Sequence, residues 1–187
     1  MIDFKPSINF WHDFKSNQIA GIWLFVGSRR ALQIVRPSIP QLIVWGILGG
    51  GANTLFAWLS AGEVGEFNSQ GLVSYALWPF IALIVGIFLS QRINNPRLML
   101  VPALLWLVLD THVALLQGLI QYLGMMDWLP YLLYDYLPAL FMVLFVWQSL
   151  AVVWVFAREL KWPWWERALI MIATLFTLVV WQISAKS

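Results

Sequence analysis

Apolar and polar positions in this chain fall into long blocks rather than alternating at the two-residue period of a strand. The blocks at 40–61, 72–90, 98–123, 137–157 and 165–183 are each at least 19 residues long and almost uncharged. Roughly 20 apolar residues cross a bilayer as a helix. The pattern therefore predicts an all-α polytopic membrane protein with five transmembrane helices. Pro40 and Pro138 fall in the first turns of the first and fourth blocks, where a missing N–H leaves no bond unmade. Pro79 predicts a kink near the start of the second. The loops between blocks are short and hold no room for a soluble domain, and no internal repeat is visible.

The first 39 residues follow a different pattern. Up to residue 18, Asp3, Lys5, Asp13 and Lys15 are interleaved with Phe4, Phe10, Trp11 and Phe14, as in a segment lying at a headgroup surface. An apolar stretch at 19–26 is too short to span. Arg29, Arg30 and Arg36 follow it closely. Helical spacing places Ile19, Ile22, Trp23 and Val26 on one side. This predicts an interfacial amphipathic helix over 15–35, with the three arginines in anionic headgroups. The alternative is a helix packed on the protein's own cytoplasmic face. Pro37 and Pro40 end the element. The expected division is a cytoplasmic or interfacial segment, 1–39, and a five-span domain, 40–187.

Composition agrees with a membrane domain: 61% of residues are hydrophobic and 11% charged, against about 45–50% and about 25% in soluble domains. A net charge of +2, scattered along the chain, gives no footprint for nucleic acid. The absence of cysteine removes disulfides, thiolate metal sites and a cysteine nucleophile. No apolar segment follows a basic start, so no cleavable signal peptide is expected. Lys and Arg number five before the first block, none at 62–71, two at 91–97, none at 124–136 and two at 158–164, with Arg167 just beyond. Positive charge favours the cytoplasmic side. The expected placement is a bacterial inner membrane, N-terminus cytoplasmic and C-terminus periplasmic.

Candidate chemistry is sparse. In the middle of the third block lies Asp110, where a carboxylate costs on the order of 2.5–3.5 kcal/mol. Ala114, Gln117 and Gln121 continue its side of the helix as a narrow polar stripe. His112 lies about 200° round, so the two are not an acid–base pair. No Lys or Arg occurs at comparable depth. Asp110 is therefore expected to be protonated, to be hydrogen-bonded by neutral groups (Asn53, Gln148 or a hydroxyl), or to meet a cation from another subunit. Its role is left open between a structural acid, a contact to a partner protein, and a proton or substrate path. In the first block, Gly46, Gly49 and Gly50 suggest a face where another helix backbone comes close. An unwound segment lining a transport site is the alternative.

Enzymatic signatures are missing. No Gly-x-Ser-Gly turn, His-Glu-x-x-His pair or phosphate-binding glycine loop occurs, and Asp135 lies at the interface rather than opposite Asp110. His12 and His112 are too far apart in sequence and setting to suggest a metal site. No cofactor is expected.

The run Arg29-Arg30-Ala31-Leu32, then Pro37-Ser38, Pro40-Gln41-Leu42, then Glu66-Phe67-Asn68-Ser69-Gln70-Gly71-Leu72 resembles the N-terminal multi-span region of proteobacterial legumain-like (caspase-clan) peptidases, over residues 29–123. In its plan of five spans with a cytoplasmic N-terminus, the chain is also similar to the Yip-domain family. The sequence contains no cysteine nucleophile or peptidase domain, so no catalytic residue carries over. The resemblance implies a helical membrane module that anchors or organises something else. The functional expectation is a non-catalytic accessory or scaffold subunit of a larger membrane complex, with lipid and other membrane subunits as partners. A small proton-coupled transporter or channel-like protein built on the Asp110 stripe is the alternative.

Overall fold

A computed structural model of the chain describes residues 9–61, 69–126, 128, 136–166, 168 and 172. The described residues form helices α1 (Phe10–Phe25), α2 (Arg30–Ile34), α3 (Ile39–Ala61), α4 (Ser69–Ile93), α5 (Val101–Met125) and α6 (Leu137–Glu159), with a 3₁₀ turn (Pro96–Met99) between α4 and α5. No strand occurs among them. Three stretches, Ile39–Trp58, Pro96–Met125 and Ala139–Glu159, are long and apolar enough to cross a membrane by length and composition. The second expected block contains a shorter apolar helix, Leu77–Ile93. Most of the fifth, and most of the 62–71 loop, lie outside the described residues.

The helix over 15–35 is not continuous. Asn9 starts α1 earlier, its side chain accepting from the His12 N–H at 2.7 Å, an N-cap that satisfies one of the helix's unpaired donors. Gly27 then ends it in the left-handed region, at φ +65°. The Gly27 N–H donates to Leu24 O at 2.8 Å and the Ser28 N–H to Trp23 O at 2.9 Å, the paired bonds of a Schellman cap. A short α2 follows, running back along α1. The same device ends α4, where Asn94 has φ +54°, and α6, where Lys161 has φ +51°.

α5 is the axis. Of its most apolar 18-residue stretch, 78% is buried, against 22% and 24% for the corresponding stretches of α3 and α6. Every residue from Val101 to Thr111 is buried, and α1, α3, α4 and α6 all pack against α5. α4 and α5 form a tight hairpin: Gly86 lies against the backbone of Leu98 and Met99, and Trp78 stacks on Trp106. Outward positions on α3, α4 and α6 are large and apolar, among them Ile47, Trp58, Phe80, Phe88 and Val143. An apolar exterior of this extent is compatible with a membrane or with contact to other protein.

α1 turns one face to the bundle and leaves the Ile19–Ile22–Val26 side outward. Ile19, Ile22 and Val26 are exposed, while Asp13, Asn17, Ala20, Gly21 and Leu24 are buried. The small residues explain the choice. A Cβ at Gly21 would sit 2.5 Å from Val108 Cγ1 and 3.2 Å from the His112 ring, so only this face lets α1 reach α5.

Candidate functional site

Asp110 sits where three helices meet. It lies in the all-buried half of α5 and is 6% exposed. Asn53 Nδ2, from α3, donates to Asp110 Oδ2 at 2.7 Å. Gln148 Nε2, from α6, donates to Asp110 Oδ1 at 2.8 Å. Each carboxylate oxygen is thus held by an amide from a different neighbouring helix. Asn53 is itself fixed, because the same nitrogen donates to Gly49 O, one turn back, at 3.0 Å. Gly49 is buried on this face, so the backbone carbonyl is reachable.

The site keeps one unused acceptor. Gln148 Oε1 is buried and has no partner among the described residues. Rotating the Gln148 amide by half a turn would present Oε1 to Asp110. A protonated carboxyl could then donate where an ionised one accepts. The arrangement accommodates either form without moving a helix, and among the described residues it places no nucleophile or second acid beside the first.

The remaining candidates are distributed around this centre. His112 lies on the other side of α5, its Nδ1 2.6 Å from Val108 O and its ring 5.9 Å from that of Trp45. Trp45 in turn stacks on Phe14 at 4.7 Å, so His112 belongs to the seam between α1, α3 and α5. Gln117 and Gln121 are half-buried farther along α5 and supply none of Asp110's hydrogen bonds. An added Cβ at Gly46 meets nothing within 4 Å among the described residues, so no close helix approach is seen there. Gly50 is half-buried and accepts from Thr54 Oγ1 at 2.7 Å.

Arg29 and Arg30 are exposed, and the Arg30 guanidinium lies 4.8 Å from the centre of the Trp23 ring. Arg36 does not join them at a headgroup surface. It is 7% exposed, and its Nε lies 3.8 Å from Asp13 Oδ1. A second polar cluster surrounds this pair. Asn17 accepts from the Arg36 N–H at 2.8 Å and donates to Arg36 O and to Gln41 Oε1, both at 3.2 Å. Gln41 Nε2 closes the set on Phe10 O at 2.9 Å. Burial of these side chains ties α1 to the segment entering α3. The signal in the sequence was the spacing of Asp13, Asn17, Ala20, Gly21 and Leu24 on one face, polar at one end and small in the middle.

Among the described residues no group of three or more His, Cys, Asp or Glu side chains could hold a metal ion. The chain matches no protein-family model, no curated protein and no solved structure.

Proposed function

We propose that this chain is a non-catalytic helical membrane protein of five spans, acting as an accessory or scaffold subunit, with Asp110 as the internal latch of its bundle. The observation that carries the reading is the pair of amides on the Asp110 carboxylate. Both oxygens are engaged by the chain's own α3 and α6, which leaves the acid joining helices rather than awaiting a substrate. The apolar exterior of α3, α4 and α6 supports burial in lipid and contact with other membrane helices. The proposed setting is the bacterial inner membrane with a cytoplasmic N-terminus, following the distribution of Lys and Arg. Purification in mild detergent from the native membrane tests the subunit role: a stoichiometric partner chain is expected. A monodisperse monomer with no partner after cross-linking in the membrane would defeat it.

One observation favours a second reading. The unused Gln148 Oε1 lets the site accept and release a proton, as a proton-coupled transporter requires. Asp110→Asn separates the two readings. A latch keeps its assembly and function when an amide replaces the acid, whereas a proton carrier keeps assembly and loses function.

A further inference from the structure

Away from Asp110, helices α4, α5 and α6 enclose a cleft of about 480 Å³, within the roughly 300–1,000 Å³ of small-molecule sites. Its floor is Leu89, Pro102, Trp106 and Phe156, all buried, and its open wall includes Ile84 and Phe88, both exposed. Among the described residues that line it, one is charged: Arg92, in the last turn of α4. The shape is therefore an apolar slot with a cation at one end. Arg92 Nη2 lies 3.6 Å from Glu166 Oε1, and the arginine side chain is 51% exposed. The glutamate is 21% exposed, but at 3.6 Å with a half-exposed arginine the pair is long and partly solvated, so it holds its members weakly and can yield to a better-placed anion. The same end carries Arg97 in the 3₁₀ turn and Arg158 and Lys161 at the close of α6, all exposed. They belong to this end because Phe156 and Trp162 share the cleft with Arg92.

We propose that the cleft is a binding site for an anionic phospholipid, one acyl chain lying in the slot and the phosphate at Arg92 in place of Glu166. The proposal rests on the membrane placement above and adds a ligand to it. The open wall gives access from the hydrocarbon region, which an acyl chain can use and a water-borne anion cannot. A zwitterionic lipid brings its own cation to the basic end, so the charge pattern favours a headgroup with net negative charge.

The test uses the full chain, extracted in mild detergent, with phosphatidylglycerol or phosphatidylcholine of identical acyl chains added, and bound lipid read by native mass spectrometry. A preference of about fivefold for phosphatidylglycerol is expected, the effect of one basic side chain at an anionic surface. Arg92→Gln, at a half-exposed position, should abolish the preference without altering the protein's elution or helicity. Ala82→Trp, which fills the slot, should remove bound lipid of both kinds. Equal retention of the two lipids, or a preference that survives Arg92→Gln, overturns the proposal. So does binding of inorganic phosphate alone with unchanged affinity in Ala82→Trp, since the apolar slot would then be irrelevant. A chain recovered in the soluble fraction sinks the membrane placement itself, whereas a membrane-integrated chain without lipid preference sinks only the lipid site.

Discussion

Asp110 is the residue on which the bundle's polar interior turns, and its variants separate hydrogen bonding from charge. In Asp110→Asn, one rotated amide restores complementarity: Gln148 offers Oε1 to the new Nδ2, and Asn53 still finds an oxygen. The expected loss is below about 1 kcal/mol, in line with interhelical hydrogen bonds in membranes. Asp110→Leu leaves two buried amide groups facing a hydrocarbon side chain. That variant should lose about 1–3 kcal/mol, read as a lower midpoint in heat-induced loss of the monodisperse peak in detergent. Equal stability of the two variants would contradict the latch. The left-handed residues behave in the opposite sense. Lys161, at φ +51°, carries a side chain where one is disfavoured by about 1–2 kcal/mol. Lys161→Gly should stabilise by up to about 1 kcal/mol after the added unfolded-state entropy is discounted. Gly27→Ala, at φ +65°, should destabilise by about 1 kcal/mol and fray the end of α1.

At the scale of helices, glycines distinguish close contacts from open faces. Gly86→Ala drives a methyl into the Met99 carbonyl, a backbone group that cannot swing aside, so the α4–α5 hairpin must open. Gly21→Leu must push α1 off Val108 and His112. Gly46→Ala meets nothing within 4 Å among the described residues and should be neutral or stabilising by up to about 1 kcal/mol, the difference in helix propensity. If Gly46→Ala proves as harmful as Gly86→Ala in the same thermal assay, the packing assigned to α3 is incorrect. These contrasts explain what was legible in the residues alone. The long apolar runs of α3, α5 and α6 announce themselves by length, and few polar side chains compete for Asp110, so Asn53 and Gln148 were already among its possible donors. Hydrophobicity grouped Ile19, Ile22 and Val26 on one side of α1, which is exposed, but it did not show that the opposite side packs on α5. In a lipid setting both faces of a helix can be apolar, and small residues decide which one turns inward. The break at Gly27 was visible as a glycine after an apolar run, yet the arginines beyond it drew the helix reading onward to residue 35. Arg36 was misplaced for the same reason: its counter-ion, Asp13, lies 23 positions earlier and becomes a neighbour only once α2 folds back along α1.

At the scale of the whole chain, the decisive question is how many times the polypeptide crosses. Three stretches meet the length and hydropathy of a span; the second and fifth blocks bring the proposed number to five. Charge supplies an independent argument. Arg92 and Arg97 follow α4, and Arg158 and Lys161 follow α6. The cleft joins these two helix ends, since Arg92, Phe156 and Trp162 all line it. The basic residues of both segments are thus gathered at one end of the bundle, as they must be if both loops face the cytoplasm. The N-terminal segment has five Lys or Arg, and the proposed topology puts it on the same side, as the positive-inside rule favours. In the proposed topology one further crossing after α6 carries the C-terminus across. A phosphatase active only outside the cytoplasm, fused after Ser187, should therefore be active, and inactive when inserted at 91–97. The reverse result at Ser187, with the 91–97 insertion still inactive, would leave Trp165–Ile183 on the cytoplasmic side and reduce the crossings to an even number. The interior built around Asp110 would survive that outcome, because it depends on α3, α5 and α6 alone.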